Sequence, residues 1–340
     1  MRAAIRAIAY YLPETTVPTE QLSAEFPEWS VEKIDQKTGI RCRHIAGPEE
    51  CSSDLAVAAA RKLFARGVCP PEQVDYLLLC TQSPDYFLPT TACLVQDRLG
   101  IPTRAGALDF NLGCSGWVYG LGLAQGLIET GQAHNVLLLT AETYSKFIHP
   151  RDKSCRTIFG DAAAATLLVG VDEPAPQLGP FVYGTDGRGA GNLIVPTGGL
   201  RHPRTPESGR PVEDASGNVR SRDNLFMDGA EIFNFTLRVV PPAVDALLAQ
   251  AGKRREDIHW YVFHQANRYM LDHLRKRLKI PAEKFLVKME HCGNTVSSTI
   301  PIVLKHAEEE GKLRPDDLVV VVGFGVGYSW AAGLVRWREF

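Results

Sequence analysis

The sequence predicts an α/β protein built from two similar halves with covered sheets. Three observations carry this. Apolar β-branched runs alternate with helical patterns along the chain. The order of those elements occurs twice. Pro and acidic residues break the pattern once, at "VDEPAPQLG" (171–179), which gives halves 1–172 and 173–340.

The elements follow in order. "MRAAIRAIAYYLPE" reads as a first strand and not as an export signal, because charges interrupt its weak apolar stretch and no small-residue cleavage site follows. "SSDLAVAAARKLFARG" (52–67) reads as a helix, with Ser and Asp at its start and Gly at its end. "VDYLLLCT" is a buried strand, "TTACLVQDRLG" a short helix and "GALDF" a strand. "SGWVYGLGLAQGLIETG" is a helix rich in small residues, and "NVLLLTAE" and "AAAATLLVG" are further strands. Residues 185–224 are polar and rich in Gly, Pro and Arg, as expected of an excursion over the surface.

The repeat is legible when "LFARGVCPPEQVDYLLLCTQSPDYFLPTTACLVQDRLGIP" is laid against "LLAQAGKRREDIHWYVFHQANRYMLDHLRKRLKIP". Each runs from a helix end through a polar loop, an apolar strand and a second helix to Arg-Leu-X-Ile-Pro. A strand and a small-residue turn come next, "GALDFNLGCSG" in one half and "FLVKMEHCGNTVSS" in the other, and then "NVLLLTAE" or "LVVVVGFG".

Bulk properties exclude several function classes. The chain has 340 residues, 45% hydrophobic and 22% charged, with a formal charge of -2. Nothing there argues for nucleic acid or an anionic membrane as partner. The longest apolar runs are too short to span a bilayer. The eight cysteines, Cys42, Cys51, Cys69, Cys80, Cys93, Cys114, Cys155 and Cys292, form no CxxC pair, so zinc and thioredoxin-like readings fail. Free thiols in the cytoplasm are the expectation.

Three polar residues stand at equivalent loops of the two halves. Cys114 lies between a strand and a helix, where the helix dipole favours a thiolate and helix-start N–H groups can donate to an oxyanion. His264 ends a strand in "FHQAN" and can take or give a proton. Asn294, in "HCGNTVSS", can donate a neutral amide hydrogen bond. Each alone has an ordinary structural explanation: inert packing for a buried Cys, a strand-end His, a Gly-Asn-Thr turn. Together they suit acyl transfer through a thioester, followed by carbanion chemistry at a second thioester. "GFGVGYSW" (323–330) is not a phosphate loop, because the apolar "AAGLVRW" after it reads as a strand. A Gly-rich turn that brings backbone close to the site fits better.

At these residues the chain resembles the thiolase superfamily, and within it the β-ketoacyl-acyl-carrier-protein synthase III family. The likeness runs through "KTGIRCRHIA", "GCSGWVYGL", "IFGDAAAATLL", "MDGAEIF", "HQAN", "CGNT" and "GFGVGYSW". It implies a thiolase-like duplicated five-layered αβαβα fold and a homodimer. It implies Cys114 as acylated nucleophile, His264 and Asn294 as the decarboxylation pair and Phe324 as the aromatic beside them. The oxyanion hole would be the N–H groups of Cys114 and Val326. The implied reaction loads an acyl group from coenzyme A onto Cys114 and condenses it with malonyl-acyl carrier protein, with no metal or tightly bound cofactor.

Departures from the family pattern are specific. Val326 stands where Gly is common, and "FGDAAAA" replaces "FGDGAGA". Lys33, Lys37 and Lys153 align with the Trp and Arg positions that hold coenzyme A, while Trp29 is out of register. Tyr269 replaces the Arg usually found two residues after "HQAN", next to Asn267 and Arg268, which bears on carrier-protein contact. Arg268, Arg275, Lys276, Arg277 and Lys279 form a basic helix that an acidic carrier protein or plain solvent would suit equally. Leu88 stands where a partner-subunit Phe closes the acyl pocket. Arg156 stands at an apolar position, as a contact for a polar acyl group or as a surface ion pair. These departures point to a specialised member. An acyltransferase to an alcohol or amine is the alternative activity. A non-catalytic partner subunit is disfavoured by the intact Cys, His and Asn.

Overall fold

The computed structural model describes residues 1–338. The last two positions of the second predicted half, 339 and 340, lie outside the described residues. Two five-stranded sheets organise the chain. The first holds Arg2–Tyr11, Tyr76–Cys80, Gly106–Phe110, Asn135–Glu142 and Ala162–Val171; the second holds Leu178–Thr185, Trp260–Phe263, Phe285–Leu286, Leu318–Gly325 and Ser329–Arg336. Numbered in chain order within each sheet, both read 3-2-4-5-1 from one edge. In both, the first two pairings from that edge are parallel and the last two antiparallel. The repeat in the sequence is therefore a repeat of topology, and residues 172–177 connect one copy to the next.

Helices make the other three layers. Ser52–Phe64 and Thr91–Leu99 cover the outer face of the first sheet. Gly229–Ala251 and Arg268–Arg277 lie outside the second sheet. Gly116–Glu129 and Thr299–Glu309 lie between the sheets. Strand alternation sorts the core accordingly. Val319 and Val321 join Trp117, Val118, Ile300 and Leu304 in the central layer. Val320, Val322 and Phe324 face the other way, toward Phe235, Val244 and Leu274. Gly229–Ala251 is long and apolar enough to cross a membrane by composition alone. Here it spends Ile232, Phe235, Val240, Val244 and Leu247 on the core.

Two details of the sequence reading change. The cap of Ser52–Phe64 is Cys51, whose N–H donates to Asp54 Oδ2 at 2.7 Å in a capping box. The excursion at 185–224 pairs Val212–Glu213 with Val219–Arg220 within itself, and Leu193–Ile194 with Phe226–Met227 just beyond its end.

Candidate active site

The turn after Gly106–Phe110 delivers Cys114 to the start of Gly116–Glu129, as the strand-to-helix seam predicts. The second half closes over it. Strand Leu318–Gly325 passes so near that a Cβ on Gly323 would lie 2.6 Å from Ser115 Cα and 2.7 Å from the Cys114 carbonyl oxygen. A Cβ on Gly325 would lie 2.9 Å from both Cβ and Sγ of Cys114. The glycines of "GFGVG" thus serve close approach of backbone, not phosphate binding. The Ser115 and Ser329 hydroxyls bond across the same seam.

His264 follows strand Trp260–Phe263, and its N–H donates to Val322 O at 2.8 Å. Its ring meets Phe324 edge-on, with centroids 5.5 Å apart. Its Nδ1 is 2.8 Å from Thr299 Oγ1, on the helix that follows Asn294. Asn294 is held by backbone of the first half: its N–H donates to Ile158 O at 2.9 Å, and its carbonyl accepts from Gly160 N–H at 3.0 Å. Its Oδ1 accepts from Val296 N–H at 2.9 Å, while Nδ2 lies 3.5 Å from Ala266 O, two residues beyond His264. Phe324 touches His264 and its neighbour Gly325 touches Cys114, so one strand ties these two predicted residues together, while the Asn294 amide lies against the loop after His264 through Ala266 O. Cys114, His264 and Asn294 are all buried.

Burial reverses one expectation. The thiol of Cys114 is pushed up to about 12, first by desolvation and then by the carboxyl of Glu142. The N–H groups of Cys114 and Val326 both act on the sulfur and pull the other way, without overcoming that. The predicted thiolate is therefore a thiol in the resting protein, because the closing strand removes the water that a helix start alone would have kept.

His264 is lowered to about 3 by the same desolvation. Folded protein holds it neutral, whereas an unfolded chain binds its proton below 6.5. The stability it spares is present above that value and lost as pH falls toward the folded value. Between pH 7 and pH 5, wild type should lose ~2 kcal/mol more unfolding free energy than His264→Asn, measured by urea denaturation. Equal losses would refute the assignment of a buried neutral imidazole.

The peripheral residues divide. Trp29, out of register in sequence, lies beneath Lys33 and Lys37, whose Nζ atoms are 5.3 and 5.0 Å from its ring centroid. Trp29 precedes the N-cap of helix Val31–Thr38, so positions four and eight residues on come round to its side. Lys153 is buried and pairs with Glu28 at 2.5 Å. Arg268 packs against Gly39, joining the Lys37 end of that helix to the "HQAN" loop, and Asn267 caps the Arg268 helix through Met270 N–H. Arg156 pairs with Glu25, donates to Pro150 O at 2.8 Å and lies over Phe26, and it also lines a pocket with Arg43, Ser145 and Phe159. Leu88 is 83% exposed, with the exposed Tyr86 and Phe87 beside it. Val326 packs toward Gly113, where an added Cβ would lie 2.7 Å from its Cγ1. Among the described residues no cluster of His, Cys, Asp and Glu has the makeup of a metal site. Sequence reasoning missed Glu142 and Arg43, both fully buried. Glu142 ends a strand in an apolar run, a signal that was available; Arg43 donates to the Thr157 and Ile40 carbonyls and to Thr19 Oγ1, which nothing local foretells.

Comparison with known proteins agrees with this architecture. The family model for 3-oxoacyl-[acyl-carrier-protein] synthase III matches residues 108–187, and that for its C-terminal part matches 248–337. The β-ketoacyl-[acyl-carrier-protein] synthase III of Caldanaerobacter subterraneus subsp. tengcongensis is 36% identical over 99% of this chain and 98% of its own. That of Symbiobacterium thermophilum is 38% identical over 98% and 97%. The chain belongs to the β-ketoacyl-acyl-carrier-protein synthase III family. A crystal structure of a 3-oxoacyl-(acyl-carrier-protein) synthase III superposes on this synthase with a TM-score of 0.98, at 58% identity over 99% of this chain and 100% of that one. The fold is the thiolase-like duplicated αβαβα type, and the activity class is that of a condensing acyltransferase.

Proposed function

We propose that this synthase loads an acyl group from a coenzyme A thioester onto Cys114 and condenses it with malonyl-acyl carrier protein. In the first step Sγ attacks the acyl carbonyl, the bond to the coenzyme A sulfur breaks, and the cysteine proton leaves with the coenzyme A thiol. In the second, malonyl loses CO2 and its electron pair passes into the thioester enolate. The enolate carbon then attacks the acyl carbonyl, forms the new carbon–carbon bond and expels Sγ, which regains a proton from solvent. The N–H groups of Cys114 and Val326 receive the oxyanion in the acyl-transfer steps. His264 and Asn294 stabilise the enolate oxygen. The thioester supplies the activated acyl group and decarboxylation supplies the carbanion, so the reaction requires no metal or resident cofactor.

The observation that carries this reading is the closure of Gly323–Val326 onto Cys114 while Phe324 contacts His264. The Trp29, Lys33 and Lys37 cluster with Arg268 suits a nucleotide thioester at the mouth, and the basic helix Arg268–Arg277, with Lys279 just past its end, suits an acidic carrier protein. A homodimer completes the reading. The edge strand Gly106–Phe110 and the apolar Tyr86–Leu88 are left open in one chain, Leu88 being available to a partner's acyl pocket. The halves 1–172 and 173–340 then supply nucleophile and decarboxylation pair respectively, in a cytoplasmic enzyme. The departures at Val326 and Tyr269 favour a specialised pathway.

Radiolabelled malonyl-carrier protein tests the assignment, with enzyme sedimenting as a dimer. Release of labelled CO2 should fall on the order of 100-fold or more in His264→Ala and Asn294→Ala, while acyl loading persists. Undiminished CO2 release in both variants would refute the assignment. Acyl transfer to alcohols or amines with no CO2 release from wild type would favour the alternative activity.

A further inference from the structure

We propose that Glu142 is a positioning residue of the condensing site: it joins the turn beside the nucleophile to the loop that follows Asn294, and its charge state governs the reactivity of Cys114. This rests on Cys114 being the nucleophile. Glu142 is the last residue of strand Asn135–Glu142 and is fully buried. Its Oε2 accepts from Gln82 N–H at 3.0 Å and from Ser83 Oγ at 3.4 Å. Its Oε1 accepts from Ser297 Oγ at 3.0 Å, in the second half, three residues after Asn294. The Gln82 side chain accepts from Tyr144 Oη at 2.6 Å, and its Oε1 lies 2.5 Å from where a Cβ of Gly113 would be, against the residue before the nucleophile. One carboxyl therefore fastens both halves of the site.

Its surroundings are chemically one-sided. The donors are two hydroxyls and one N–H. The titratable groups acting with it are other acids: the Cys114 thiol from the nucleophile turn, Cys80 from strand Tyr76–Cys80, the Tyr144 phenol from the turn after its own strand, and Asp161 before strand Ala162–Val171. Lys146 acts on Asp161, and its Nζ donates to the Gly47 and Pro48 carbonyls. The Glu142 carboxyl is raised to about 8, first by burial, against the pull of its Gln82, Ser297 and Ser83 donors. Acids that share a dry region titrate against one another. Below about 8 Glu142 carries its proton and leaves Cys114 unopposed; above it, its charge resists formation of the thiolate.

Alkylation by iodoacetamide between pH 6 and pH 10, read at the Cys114 peptide by mass spectrometry, tests this without substrate. In wild type the logarithm of the rate should climb with pH, flatten where Glu142 ionises, and climb again. Glu142→Gln should give an unbroken climb, matching wild type at pH 6 and exceeding it on the order of tenfold at high pH. Parallel profiles with no flattening would overturn the proposal. Ser297→Ala keeps the carboxyl but removes a donor to its charged form, so the flattening should move to higher pH; an unmoved break would also overturn it. Failure of wild-type Cys114 to alkylate at any pH would instead sink the nucleophile assignment beneath it.

Discussion

Cys114→Ala should leave the protein folded and unable to acquire an acyl group, with condensation lowered on the order of 10⁴-fold or more. Intact mass spectrometry after incubation with acyl-coenzyme A esters checks it: wild type gains the acyl mass and the variant does not. The change removes one sulfur from a site already crowded by Gly325, so the stability cost is within about 1 kcal/mol. The magnitude follows from the role. Among the described residues it is the Cys114 sulfur that meets both Gly325 and the N–H groups of Cys114 and Val326. Persistent acylation of the variant would place the nucleophile elsewhere.

Gly323→Ala should be the most damaging single methyl in the site. Its Cβ would meet Ser115 Cα and the Cys114 carbonyl oxygen, which are backbone atoms and cannot rotate aside. Strand Leu318–Gly325 cannot retreat either, because Trp260–Phe263 holds one edge and Ser329–Arg336 the other. We expect a loss of about 3 kcal/mol in unfolding free energy and on the order of 100-fold in acyl-loading rate. Chemical denaturation and single-turnover loading measure the two. Gly126→Ala is the matched control: its Cβ meets open space on an exposed helix face, and it should gain about 0.5–1 kcal/mol. If Gly323→Ala behaved like the control, the close approach of the halves would be wrong.

The sequence revealed much of the frame because periodicity and repetition are local signals. "VDYLLLCT", "NVLLLTAE" and "LVVVVGFG" announce strands through runs of apolar residues, and the Arg-Leu-X-Ile-Pro echo announces the second copy. The polar residues Cys114, His264 and Asn294 were legible because apolar loop logic does not choose them. What escaped depends on parts that meet only in three dimensions. The direction of the Cys114 shift could not be read from a helix start, since it is set by a strand two hundred residues away and by Glu142. The Arg156 partner, Glu25, lies far away in sequence and could not be read from the local pattern. Trp29 looked out of register because alignment counts residues, whereas a helix turn brings Lys33 and Lys37 back to its side.

The shared 3-2-4-5-1 order has a consequence for how such an enzyme can change. The same turn, built twice, carries a thiol in one copy and an amide in the other. On the assignment proposed above, acyl loading and carbanion formation sit on separate stretches of gene, each with its own supporting strand and helix. On that reading, substitutions around "NLGCSG" bear first on acyl loading and those around "EHCGNT" on loss of CO2 from the extender. Where the copies meet, at Gly323, Gly325 and Glu142, that independence ends, and variation there must satisfy both half-reactions at once.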